Sequence, residues 1–239
     1  MKTLEDFKDI HKDRACFIFG AGPSLHFIDT TATKDHITIA VNSGVMRARW
    51  CDYFLSDDVG VSSWSYYTEL LPTLNCKSLL YKDKLANHCS HLSDVFLFEH
   101  TWWYSPKENK YNYDGLSLNK TGPIIGARTS MGSALHFAYI MGCNPIVLLG
   151  NDCKIKDGKR YFWQYNGEEA PRRVKGSPFT RGNQNFGFDP ISFIEYWSAL
   201  EQVNQDLMQN GLNIISCSEG VLDCFPKISF HEVIEFIDK

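Results

Sequence analysis

Short runs of β-branched and aromatic residues, bounded by Gly, Pro, Asn, Asp or Ser, recur along the chain and predict strands. They lie at Ala15–Phe19, Ile37–Val41, Tyr53–Ser56, Ser78–Tyr81, Val95–Phe98, Ile146–Leu149 and Asn213–Cys217. Several are continuous apolar runs without polar alternation, the pattern of strands covered on both faces of a parallel sheet. Two stretches change to helical spacing. From Asp189, the positions Ile194, Trp197, Leu200, Val203 and Leu207 form one apolar stripe, with Asp189 as N-cap, Pro190 at the first helical position and Gly211 as the stop. Thr129 to Met141 predicts a second helix, with small residues in its first turns and Gly142 closing it.

Alternation of strand and helix places the chain in the α/β class: a Rossmann-like, mostly parallel sheet flanked by helices. No internal repeat or Pro/Gly/Ser linker divides it, so residues 1–239 are expected to form one domain, with a long lid at about 154–189. Composition narrows the function. A net charge of −4 argues against a generic nucleic-acid binder. No stretch approaches the ~18 apolar residues needed to span a bilayer, and the charged segment Met1–Lys12 does not read as a secretory signal. The eight cysteines form no CxxC pair, so reduced thiols and a cytoplasmic location are expected.

The sharpest local feature is Phe19-Gly20-Ala21-Gly22-Pro23-Ser24-Leu25 at the end of the first strand. Two glycines let the backbone turn tightly and approach a ligand, and Pro23 suits the first turn of a helix whose N–H groups favour phosphate. Leu25 stands where a dinucleotide fingerprint would carry its third glycine. A second feature is electrostatic. Residues 154–181 carry eight basic side chains against three acidic ones, a local +5 that leaves −9 for the remainder. Such a loop, with Arg172 and Arg173 near its middle, would neutralise an anionic ligand. Of the 33 aromatic residues, 24 lie within 50–113 and 161–197, where loop rings suit stacking on a base or sugar.

The glycine loop, the Asn-ending run Ile39-Ala40-Val41-Asn42-Ser43 and Tyr53-Phe54-Leu55-Ser56-Asp57 together resemble the start of the MptE-like 6-hydroxymethylpterin diphosphokinase family. The same order occurs in motility-associated flagellin glycosyltransferases and in bacterial sialyltransferases that use CMP-activated sugar. Thr129-Ser130-Met131-Gly132-Ser133-Ala134 and Ile146-Val147-Leu148-Leu149-Gly150-Asn151-Asp152 match their later segments, so the likeness spans roughly 15–60 and 125–225. By position, the resemblance implies that Gly20, Ala21, Gly22, Pro23 and Ser24 cradle nucleotide phosphate, with Asn42, Ser130 and Gly132 also contacting the nucleotide. It puts Asp57, Asp152 and the lid tyrosine Tyr161 in the catalytic positions. No cofactor is certain. Asp57 and Asp152 would hold Mg²⁺ if the reaction needs it.

The chain departs from the sialyltransferases in three places. They carry Asn where Ala21 stands, a first lid tyrosine where Lys154 stands, and a lid histidine base, whereas no histidine lies between 137 and 230 here. His136 reads as a packed helix residue, and His100 as a remote base candidate. The expected function is a nucleotide-dependent transferase, foremost a glycosyltransferase taking a CMP-sugar-type donor to a glycan or small-molecule acceptor in surface-glycan synthesis. The alternatives are a diphosphokinase moving pyrophosphate from ATP to a pterin-type alcohol, favoured by Ala21, and a nucleotide-binding module without catalysis.

Overall fold

The computed structural model describes residues 3–102, 104–105, 110–111, 120, 123–126, 129–174, 205, 208–209, 211–220 and 223–238. Among the described residues eleven strands run in chain order as β1 (Cys16–Phe19), β2 (Ile37–Val41), β3 (Tyr53–Ser56), β4 (Lys77–Tyr81), β5 (Val95–Phe98), β6 (His100–Trp102), β7 (Tyr104–Ser105), β8 (Lys110–Tyr111), β9 (Ile124–Gly126), β10 (Ile146–Leu149) and β11 (Ile214–Ser216). Seven of them form one sheet in the order β11-β10-β1-β2-β3-β4-β5, and every pairing in it is parallel. β6 pairs with β9, and β7 with β8, in two small separate sheets.

Chain direction explains where a ligand site can form. From β1 the chain adds β2 to β5 successively on one side, then returns to place β10 and β11 on the other side of β1. β1 and β10 therefore flank the point where the strand order reverses, and it is at the carboxyl ends of the strands beside such a point that open α/β sheets bind ligands.

Side-chain alternation divides the core into two layers. Cys16, Ile18, Ile39, Val41, Tyr53, Leu55, Ile146 and Leu148 face one layer, which includes the helix over Ser130–Ile140. Phe17, Phe19, Ala40, Phe54, Val147 and Leu149 face the other. Burial on both sides is why these strands read as unbroken apolar runs. Besides the single turn α1 (Lys82–Leu85), the described residues hold the α-helices α2 (Ser130–Ile140) and α3 (Phe230–Ile237). Thr129 caps α2 by accepting from the Gly132 N–H at 3.2 Å. Ten of its eleven residues are buried, so its small first-turn residues are needed for close packing on the sheet. Gly142 ends it at φ +79.

Two features differ from the sequence expectation. Between β1 and β4 the crossovers hold mainly 3₁₀ turns rather than full helices, including Pro23–Phe27, Thr30–Thr33 and Val59–Ser63. Their Thr, Ser, Asp and Gly residues bond local backbone instead of continuing a helix: Asp29 accepts from Thr31 N, and Asp58 from Gly60 N. α3 was not expected, although Ser229 and Glu232 form a capping box before its packed residues Val233, Ile234 and Ile237. Most of the expected Asp189 helix and the lid beyond residue 174 lie outside the described residues; residues 205 and 208–209 are helical, and Gly211 closes that segment at φ +79.

Candidate functional site

The loops after β1 and β10 meet backbone to backbone. Gly20 N–H donates to Leu149 O at 2.7 Å and Gly22 N–H to Gly150 O at 2.7 Å. A Cβ at Gly20 would stand 2.9 Å from Met131 Cε and closer still to Gly150 O. One at Gly22 would lie 2.7 Å from Gly150 O and overlap the Asp152 carboxylate. Both glycines are thus required by the packing of one loop on the other, before any ligand is considered. The Ser24 N–H, at the start of the Pro23–Phe27 turn, donates to Asp152 Oδ2 at 2.8 Å.

That hydrogen bond bears on the expected phosphate cradle. Residues Gly20 to Ser24 do form a tight loop at the strand end, but the anion against it is the chain's own carboxylate. A phosphate about 5 Å from Asp152 would meet a repulsion of roughly 3 kcal/mol per unit charge at an effective dielectric of 20. Asp152 is 2% exposed, and its Oδ1 has no hydrogen-bond partner among the described residues. Burial raises its pKa above the ordinary carboxylate value, opposed by the Ser24 contacts and Lys154. The next residue, Cys153, holds φ +51, a left-handed conformation that non-glycine residues seldom adopt.

A second group assembles at the ends of β2 and β3. Asp57 follows β3 and accepts from Ser130 Oγ through Oδ1 and from Ser133 Oγ through Oδ2, the latter at 3.0 Å. His100 Nε2 lies 3.7 Å from Asp57 Oδ2. Asn42, at φ +51 directly after β2, donates from Nδ2 to Ser130 Oγ at 3.4 Å, while its Oδ1 is buried without a partner among the described residues. Burial lowers the pKa of His100, against the attraction of Asp57, and lowers that of His136 to about 4 with His100 contributing. Both imidazoles are therefore neutral at neutral pH. Ser133 was missed in the sequence; the signal was available, since Ser130 and Ser133 stand three apart on one helix face. Gly132 lies between them, its N–H held by the Thr129 cap.

Asp57 and Asp152 do not make one cation site. β3 and β10 are separated by β2 and β1, so their ends are about 14 Å apart at the usual strand spacing. Asp57 already accepts from two hydroxyls, with an imidazole 3.7 Å away. Among the described residues no group of three or more His, Cys, Asp or Glu is gathered that could hold a metal. The residues present do not fit a shared Mg²⁺.

The first part of the lid is docked. Phe162 N–H donates to Ala21 O at 3.1 Å, tying the lid to the glycine loop. Tyr161 stacks on Trp163 at 5.0 Å, and Trp64 stands 6.5 Å from Trp163. Arg173 lies 4.1 Å over the Trp64 ring and donates to Ser63 Oγ; Arg172 pairs with the exposed Glu69. Glu168 accepts from Arg47 at 3.1 Å and faces His26 Nδ1 at 3.0 Å. Among the described lid cations, Lys156 pairs with Glu219 and Arg172 with Glu69, and Arg172 and Arg173 both contact residues 63–69. Lys175 and Arg181 lie outside the described residues.

All eight cysteines are free. Among the described residues no helix is long and apolar enough to cross a membrane. Comparison of the chain with protein-family models, with curated proteins and with solved structures gives no match in any of the three.

Proposed function

We propose that the protein is a nucleotide-dependent transferase, foremost a glycosyltransferase that takes a CMP-sugar-type donor to a glycan or small-molecule acceptor. The observation that carries this reading is the row of polar residues along the carboxyl ends of β10, β1, β2 and β3, spanning the switch point of the sheet. Asp152 and Asn42 present unpaired acceptors there, on either side of the Gly20–Gly22 loop. Asp57 holds Ser130 and Ser133 at the start of α2 and, through Ser130, orients Asn42. The stacked rings of Tyr161 and Trp163 beside Trp64 offer an apolar face for a base or sugar.

A diphosphokinase acting on ATP keeps one supporting observation, Ala21 in place of the sialyltransferase Asn. The lack of a shared carboxylate site for Mg²⁺ weighs against it. Thermal melting with CMP, CDP, UDP and ATP, with and without Mg²⁺, tests the reading, because a ligand of the native state raises its stability by mass action. Stabilisation by CMP or CDP without metal is expected. Stabilisation by ATP only with Mg²⁺ would favour the diphosphokinase, and tight CMP binding with no turnover of any CMP-sugar would favour a non-catalytic module. No shift with any nucleotide would overturn the reading.

A further inference from the structure

We infer that the β1/β10 switch point reads a sugar hydroxyl of its ligand through Asp152, and that the ligand's phosphate lies elsewhere. The inference rests on the nucleotide reading above and says which part of the ligand enters the glycine loop. Asp152 is buried, and its two oxygens are in different states. Oδ2 is held by the Ser24 N–H at 2.8 Å, so the carboxylate is fixed; Oδ1 has no partner among the described residues. An acceptor left so in a buried position is costly until a donor arrives. Gly22 leaves no room for a side chain beside the Asp152 carboxylate and Gly220 none beside the Asp152 backbone, so the residue is closely confined, and Cys153 directly after it holds φ +51.

The chemistry that completes such a site is a hydrogen-bond donor. A hydroxyl can give a short, charge-assisted bond to a carboxylate, whereas a phosphate oxygen brings negative charge and no proton. Ribose hydroxyls and those of the transferred sugar share this chemistry. Sites built to bond a hydroxyl discriminate strongly against analogues without it, because the protein group is then left unpaired.

Calorimetric titration of the full chain with cytidine, 2′,3′-dideoxycytidine, CMP and a CMP-sugar tests this. If the ribose is read, dideoxycytidine binds about tenfold or more weaker than cytidine. If the transferred sugar is read, the two nucleosides bind alike and the CMP-sugar exceeds CMP by a similar factor. Asp152→Asn, which keeps an acceptor for Ser24, abolishes whichever discrimination the wild type shows; discrimination that survives in a folded Asp152→Asn variant overturns the assignment to this residue. The wild-type comparison stands alone should that variant fail to fold. Equal affinities in both pairs would overturn the inference while leaving nucleotide binding intact. Failure of cytidine and of every nucleotide to bind would overturn the nucleotide reading and this inference with it.

Discussion

Asp57 and Asp152 are the same residue type, both buried, both just beyond a strand at the same edge of one sheet, yet their surroundings differ. Asp57 is saturated: two serine hydroxyls, with an imidazole nearby, use its oxygens, and the result is a fixed α2 start and a fixed Asn42. Asp152 is half satisfied, with one oxygen committed to Ser24 and the other buried and unpaired. A saturated carboxylate organises its neighbours, and a half-satisfied one is available to a ligand. Position at a strand end gave both residues equal claim to a catalytic or metal role; their partners separate them.

The hardest test of the Asp152 side is Gly22→Val. Its Cβ alone would overlap the Asp152 carboxylate and lie 2.7 Å from Gly150 O, so the β1 and β10 loops must part. A stability loss of about 3 kcal/mol or more is expected from such overpacking, read by chemical denaturation. A glycine serving ligand approach alone would leave stability unchanged and lower only nucleotide affinity.

The Asp57 side has a pH signature. Burial, with a contribution from His100, holds His136 at a pKa of about 4, below the ordinary 6.5, and burial lowers His100 in the same direction. The unfolded chain takes up these protons before the folded chain does, so the stabilising contribution is present above about pH 6.5 and is lost as pH falls towards 4. For His136 the whole loss amounts to about 3 kcal/mol. Denaturation midpoints from pH 7 to 4 should fall less steeply in His136→Gln than in the wild type; parallel curves would mean that the imidazole is not held neutral in the fold. Asp152 works the other way, its raised pKa favouring the folded state as pH falls.

The smallest effect belongs to the docked lid. Arg172 and Glu69 are exposed, so Arg172→Ala should cost less than about 1 kcal/mol. CMP affinity should also stay the same at low and high salt, since the contacts of Arg172 among the described residues are with Ser65 and Glu69. A salt-dependent loss of affinity would restore the cationic lid as a donor-binding element, and would bring the lid into the comparison of the two carboxylates.

Much of the fold could be read from local pattern. Strands buried on both faces leave unbroken apolar runs, and Ile37–Val41, Tyr53–Ser56, Val95–Phe98 and Ile146–Leu149 have the bounds their runs imply. β4 begins one residue earlier than its apolar run, at Lys77, because its N–H donates to Asp52 O across the sheet and its ammonium pairs with Asp94. α3 is short, and its capping box was the available sign. The site was less legible. Gly20 and Gly22 stood out, but their tight neighbours, Gly150 and Asp152, are distant in sequence.

The sequence by itself determined the alternation of strand and helix, the two-sided burial of the sheet and the residues clustered at strand ends, because periodicity and turn chemistry are local properties. Tertiary structure decided what those residues do. Ser24 meets Asp152 across 128 residues and Asp57 meets Ser133 across 76, and both meetings depend on β10 returning to the far side of β1 and on α2 crossing the sheet. Whether a buried carboxylate is filled or left open follows from such long-range placement, and no window of neighbouring residues encodes it.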